Sequence, residues 1–159
     1  MLISDTAFAR TVPWCAIRNL TYSMNEKTQM INVTAAILVH EKKVLIARRG
    51  PGGNHPGKWE FPGGKVENGE SPEACLAREL KEEFDIAVEV ENFFAESTYT
   101  YDHGTIRLLA YRTRWCSGVI RLLAHDRVAW VAPEDLPGYD LLPADVPLAE
   151  RLGREIVDG

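Results

Sequence analysis

The sequence predicts an α/β domain in which helices cover a mixed β-sheet, an α/β/α sandwich. Three observations predict it. Apolar and β-branched runs of strand length recur between residues 31 and 131. Two segments, residues 72–84 and 143–157, carry helical spacing, one amid the strands and one after them. The chain has 159 residues, 45% of them hydrophobic and 26% charged, enough for one domain with a sizeable core.

Residues 1–30 show no clear periodicity and are set apart as an N-terminal extension of unassigned role, with the domain proper over residues 31–159. Trp14 and Ile17 are candidates for packing there, and a disordered extension fits equally well. Residues 31–40 are apolar and β-branched, which marks a buried strand. Glu41-Lys42 turns the chain into a second strand at residues 43–48, forming a hairpin. The glycine- and proline-rich stretch at residues 50–57 is a loop by composition, and residues 59–64 form a short extended piece. Ser71 is a good N-cap, Pro72 suits the first helical position and Glu73 complements the helix dipole, so a helix spans 72–84. Strands are expected at 87–94, 96–101, 105–114 and 120–123, with Asp102-His103-Gly104 as a hairpin turn, and a short one at 128–131. Pro133-Glu134-Asp135-Leu136 reads as a helical turn and residues 143–157 as a terminal amphipathic helix.

Charge narrows the function. The formal net charge is -5, so long-range attraction to nucleic acid is not expected, and an anionic substrate needs cations and a few local basic groups. No run reaches the length of a membrane span, and the first residues do not read as a secretory signal. Cys15, Cys75 and Cys116 are odd in number and far apart, matching neither a zinc site nor a disulfide framework. Reduced thiols in a cytoplasmic protein are the expectation, as a monomer or a homodimer.

The most informative stretch runs from Gly64 to Glu83. It places Glu70 six residues after the glycine, then Arg78-Glu79-Leu80 and the pair Glu82-Glu83. On a helix, Glu79, Glu82 and Glu83 fall within an arc of about 100°. Leu76, Leu80 and Phe84 occupy another side and face the core. Crowded carboxylates raise one another's pKa unless a cation sits among them, and Mg²⁺, which prefers oxygen ligands, is the natural one. A solvated acidic helix is the plain alternative. Six such positions at roughly 6% each would coincide by chance at about one start site in ten million.

This pattern resembles the signature box of the Nudix hydrolases, matching at Gly64, Glu70, Arg78, Glu79, Glu82 and Glu83. Asp85 departs from it, standing where the family usually has glycine; a left-handed residue after the helix tolerates Asp at a small stability cost. The resemblance implies the Nudix sandwich and Mg²⁺-dependent hydrolysis of a phosphoanhydride, with Mn²⁺ able to substitute. By it, Glu79 and Glu83 are the leading metal ligands, Glu82 follows, and Glu79 is also the best candidate for the catalytic base. Arg78 organises the carboxylates, braced by Glu70, although a plain ion pair explains those two as well. The carbonyl of Gly63 is a further ligand by likeness to MutT-type enzymes, or merely part of a turn. Asp126 is a candidate late-loop ligand, and His125 beside it reads as an ordinary exposed loop residue.

The stretch from Ile46 to Lys65 also looks like MutT-type nucleoside triphosphate hydrolases. Arg48 and Arg49 alternate across their strand, so only one reaches the site, and the family pattern picks Arg49 for phosphate. Glu60, Phe61, Pro62 and Lys65 complete the substrate-binding set. Phe61 is equally a core aromatic, and Lys65 a surface lysine. Asp145, in a segment similar to the family's base-reading one, accepts from a base amine, caps the last helix, or does both. The implied activity is hydrolysis of an 8-oxo-dGTP- or (d)CTP-type nucleotide to the monophosphate and pyrophosphate, as pool sanitation. Dinucleoside polyphosphate hydrolysis, with Tyr99 and Tyr101 stacking a base, and a catalytically silent nucleotide sensor are the alternatives. The absence of proline between Pro72 and Pro133 counts against an ADP-ribose hydrolase.

Overall fold

A computed structural model describes residues 29–157. Trp14, Cys15 and Ile17, with the rest of the expected extension up to residue 28, lie outside the described residues. Six strands form one mixed sheet: β1 (Met30–His40), β2 (Lys43–Arg49), β3 (Trp59–Glu60), β4 (Ala87–Tyr101), β5 (Gly104–Ser117) and β6 (His125–Val131). Among the described residues, two α-helices, α1 (Pro72–Phe84) and α2 (Val146–Val157), and a 3-10 helix (Pro133–Gly138) accompany it. The order is β3-β2-β1-β5-β4, with β6 on β2. Only β1 and β5 run parallel, Val33 opposite Leu108 and Ala35 opposite Ala110; β1–β2, β2–β3, β2–β6 and β4–β5 are antiparallel.

Strand alternation divides the core into two layers. Ala36, Leu38, Leu45 and Ala47 pack with Leu76, Leu80 and Phe84 of α1. Ala35, Ile37, Val44 and Ile46 point the other way and pack with Leu148, Ala149 and Leu152 of α2. Both faces are buried, which is why β1 reads as an unbroken apolar run. The Glu41-Lys42 turn has φ of 48° and 64° at its two residues. Those are the left-handed conformations of a two-residue hairpin turn, and neither residue is the usual glycine or asparagine.

Three expectations are corrected. The strands expected at 87–94 and 96–101 are one strand, because register irregularities at Phe93 and Ala95 carry the ladder through the break. They also turn Phe93 outward while Phe94 stays buried. Residues 120–123 are not a strand. The amides of Arg121 and Leu123 donate instead to the carbonyls of Phe84 and Glu83, satisfying the last turn of α1. The terminal helix begins at Val146, since residues 142–145 form a turn closed by Asp145 N–H to the Leu142 carbonyl.

Candidate active site

Helix α1 starts where Ser71 Oγ accepts the Ala74 amide at 3.1 Å, with Pro72 at the first position. It stops at Asp85, which adopts φ 55°, ψ 34° and donates its amide to the Lys81 carbonyl. The left-handed cap expected from the sequence is therefore present without glycine, and Lys81 and Asp85 pair beside it.

The loop before α1 runs along the open edge of β1. Ala36 N–H donates to the Pro62 carbonyl (2.7 Å), Thr34 N–H to Gly64 (2.8 Å), and Val66 N–H to Asn32 (3.0 Å). Among the described residues no such bond uses the Gly63 carbonyl. Two close approaches explain the paired glycines. A Cβ on Gly63 would lie 1.9 Å from the Thr34 carbonyl oxygen, and one on Gly64 would lie 2.2 Å from the Glu79 carboxylate carbon. Thr34 and Cys75, both buried, pin the loop from behind: the threonine hydroxyl donates to the Gly64 carbonyl, and the thiol to the Lys65 carbonyl.

These elements enclose a cleft of about 580 Å³. Glu79 and Glu83 enter it from α1, Gly63, Gly64 and Lys65 from the loop, Arg49 and Glu60 from the ends of β2 and β3, and Phe61, Tyr101 and Asp145 from the far side. Arg78 lies behind the acidic face. It grips Glu70 through two nitrogens (2.7 and 3.0 Å) and reaches Glu79 (2.9 Å) and Glu82 (3.2 Å). The guanidinium holds the Glu70 carboxyl down at about 2. Glu79 moves the other way: burial raises its pKa, and Arg78 opposes the rise. Burial likewise pushes Glu83 up to about 7, with His125 opposing and Glu79 and Glu60 adding.

On the opposite wall, Arg49 donates to the Asn54 carbonyl (2.7 Å) and to Glu60 (2.9 Å). Phe61 N–H donates to Asp145 Oδ1 at 2.8 Å. The Asp145 side chain is thus spent on Phe61 and not on capping α2, although its backbone carbonyl accepts the first amides of that helix. Burial keeps its pKa well above the usual carboxylate range.

Of the residues expected in the site, the cleft gathers Arg49, Glu60, Phe61, Gly63, Lys65, Glu79, Glu83 and Asp145. Four do not line it. Arg78 supports it from behind, Pro62 is buried against β1, Glu82 is more than half exposed, and Asp126 is held by Arg48 through two bonds of 2.7 and 3.1 Å. His125 is the residue the sequence reading misplaced. Its side chain is only 5% exposed, stacks on Phe84 and lies 2.8 Å from Glu60. Arg49 pairs with His125 and shares its face, while Asp126 is the extra residue of a bulge that breaks the alternation of β6 and leaves it beside Arg48. Alternation along β6 alone would have turned Asp126 inward, so only the register finds the histidine.

The donors fit a hard divalent cation. Glu79 and Glu83 present carboxylate oxygens one helical turn apart, and among the described residues the Gly63 carbonyl faces no competing amide and buried Glu83 Oε2 has no hydrogen-bond partner. Among the described residues no three His, Cys, Asp or Glu side chains converge as a closed metal site. Mg²⁺ does not demand one, because it keeps waters and takes one or two carboxylates plus substrate phosphates.

Known proteins share this sequence and fold. The NUDIX domain model matches residues 29–152. The chain is 38% identical to the CTP pyrophosphohydrolase of Escherichia coli over 122 residues, covering 77% of this chain and 90% of that one. It is 29% identical to the Escherichia coli 8-oxo-dGTP diphosphatase over 125 residues, covering 78% and 97%. The crystal structure of the MutT protein from Methanosarcina mazei superposes with a TM-score of 0.73 at 28% identity, covering 82% and 96%. The acidic helix, the paired glycines and these likenesses agree: the chain belongs to the Nudix family and is a hydrolase of phosphoanhydride bonds.

Proposed function

We propose that this chain hydrolyses a nucleoside triphosphate to the monophosphate and pyrophosphate with Mg²⁺, Mn²⁺ being able to substitute. One observation carries the reading: Glu79 and Glu83 share a cleft with the Gly63-Gly64 backbone and with a separate wall fit for a nucleobase. Glu79, Glu83 and the Gly63 carbonyl would hold the cation, which neutralises phosphate oxygens and acidifies water. The protein's own groups do the rest. Arg49 and Lys65 bind phosphate oxygens, and the Glu60 contact aims the arginine. Glu79, with its pKa raised by burial, takes the proton of the attacking water as a phosphorus–oxygen bridge breaks. Arg78 keeps that carboxylate in place.

At the other end, Phe61 and Tyr101 supply aromatic surface and Asp145 a polar edge. Burial biases the Asp145 carboxyl toward its protonated form, in which it would offer a donor as well as an acceptor to the base edge. Relatives named as CTP and 8-oxo-dGTP hydrolases support both substrate classes. A panel of CTP, dCTP, 5-methyl-dCTP, 8-oxo-dGTP and a dinucleoside tetraphosphate, assayed with Mg²⁺ for pyrophosphate and for the monophosphate, tests the proposal. Turnover of a triphosphate to those two products is expected. Turnover of the dinucleotide alone, or binding without turnover, would replace it with one of the alternative activities.

A further inference from the structure

A pair of unsatisfied groups lies where β6 meets α1. Glu83 Oε2 and His125 Nδ1 are both buried, have no hydrogen-bond partner among the described residues, and are 3.9 Å apart. That is too long for a hydrogen bond, so neither satisfies the other. Two buried polar atoms facing each other unpaired are costly, and a native fold keeps such a pair where something else completes it.

The histidine's surroundings say what completes it. Its Nε2 lies 2.8 Å from Glu60 Oε1. A carboxylate only accepts, so Nε2 carries the proton, and in the neutral ring Nδ1 presents a lone pair. Glu60 is itself held by Arg49 at 2.9 Å, and the ring is fixed by stacking on Phe84 at 5.2 Å and 14°. Carboxylate, histidine N–H and a free opposite nitrogen form the outer support that metal-binding histidines use to set tautomer and direction. Bonds of about 2.1 Å from one ion hold a nitrogen and an oxygen about 3.0–3.4 Å apart at right or tetrahedral angles, so the 3.9 Å gap needs to close by about half an ångström or more.

We infer that His125 Nδ1 joins Glu83 Oε2 as a nitrogen ligand to a divalent cation in the cleft, so that the site binds imidazole-accepting ions such as Mn²⁺, Co²⁺ or Zn²⁺ more tightly than the Mg²⁺ that supports the proposed reaction. The inference rests on the cleft being the metal-dependent centre proposed above. The histidine would add one nitrogen to the oxygens of Glu79, Glu83 and Gly63 proposed above and leave the remaining positions to water and substrate oxygens. Asp126, one residue on, takes no part because Arg48 holds it on the other face of the strand.

Nitrogen-15 NMR of the histidine rings during Zn²⁺ titration tests this directly. In the metal-free protein at neutral pH, His125 should show the Nε2–H tautomer; on adding Zn²⁺ its Nδ1 resonance should move while Nε2–H persists. Mn²⁺ binding, read by electron paramagnetic resonance without nucleotide, should weaken about 100-fold in His125→Ala and about tenfold in Glu60→Gln, with Mg²⁺ competing poorly. Far-ultraviolet circular dichroism confirms the fold of each variant, and Glu60→Gln serves where His125→Ala does not fold. An Nδ1 resonance indifferent to Zn²⁺, a doubly protonated ring at neutral pH, or unchanged Mn²⁺ affinity in both variants overturns the inference. Pyrophosphate release with Mg²⁺ surviving in that case would leave the proposed function standing. Its absence from a protein whose His125 does bind Zn²⁺ would sink the function and not the site.

Discussion

Gly63 and Gly64 are neighbours, yet alanine at each should fail differently. At Gly64 the new Cβ lies 2.2 Å from the Glu79 carboxylate carbon and 2.4 and 2.5 Å from its oxygens. Ordinary contact requires about 3.5 Å, so the carboxylate must retreat by roughly 1 Å. The obstacle is the end of a flexible side chain, so the backbone need not move. A displacement of that size at a reacting group costs on the order of 10²-fold in rate. At Gly63 the Cβ lies 1.9 Å from the Thr34 carbonyl oxygen and 2.7 Å from its carbon. That obstacle is the backbone of β1, locked in register with β5. The loop must peel away, breaking the bonds at Thr34 and Ala36, each worth about 1 kcal/mol, on top of about 1–3 kcal/mol of overpacking. Gly63→Ala should therefore lose about 3–5 kcal/mol, or roughly 6–20 °C in Tm at this size. Gly64→Ala should melt within a few degrees of wild type while turning over substrate about 100-fold more slowly. Thermal melts and pyrophosphate-release kinetics on the two variants decide it. Equal Tm losses, or near-full activity in Gly64→Ala, would refute the reading that one glycine makes room for the fold and the other for a catalytic carboxylate.

Glu79→Gln keeps the shape of the side chain and removes the proton acceptor; kcat should fall by about 10²–10⁴-fold with Tm unchanged, and wild-type kcat would remove Glu79 from the base role. Glu83 makes the metal-free protein pH-sensitive. Its carboxyl is raised from 4.5 to about 7, so the native state holds the proton more tightly than the unfolded chain. This contribution is fully present below pH 4.5 and is lost as pH rises through 7, about 3 kcal/mol in all. In chelator, urea midpoints of Glu83→Gln should therefore exceed wild type at pH 8 and approach it at pH 4.5; parallel pH curves would contradict the burial argument. Asp126→Asn should leave kcat within about a factor of two, because its partner Arg48 lies on the far face of β2 and surface changes of this kind are mild. A large loss of divalent-ion affinity in that variant would restore Asp126 as a ligand.

Local features were legible in the sequence wherever one element carries the information. The Ser71-Pro72 start of α1, its end at Phe84 and the left-handed Asp85 each depend on neighbours within four residues. That only one of Arg48 and Arg49 reaches the site followed from alternation along a single strand, and the resemblance to the family picked Arg49. What stayed hidden depends on pairing between distant segments. Residues 120–123 carry a strand-like apolar run, but their amides close the C-terminus of α1, some forty residues earlier in the chain. Val119 and Leu123 are left exposed as a result, against any pattern rule. The bulges that join the two halves of β4 are set by β5. His125 was misread for the same reason: β6 is short, and only its pairing with β2 reveals which of His125 and Asp126 turns inward.

The position of the cleft follows from how β1 and β2 part. They are paired only beside their turn, Val39 with Val44 and His40 with Lys43. Beyond it β2 leaves β1 for β6 and β3, carrying Arg49, Glu60 and His125 away together. The edge of β1 so exposed cannot stay unpaired inside a domain, and the 62–66 loop supplies its hydrogen bonds. That loop needs glycine to lie so close, and it delivers its chain directly into the first turn of α1. The amides of residues 121 and 123 then hold the other end of the same helix, just before the chain enters β6. Helix α1 is consequently fixed at both ends against the gap, and Glu79 and Glu83 have nowhere to turn but into it. The same geometry buries Glu83 beyond the reach of Arg78, whose contacts go to Glu70, Glu79 and Glu82. A carboxylate set apart from Arg78 in this way is costly to charge, which keeps its pKa raised, and a bound cation would supply the missing charge.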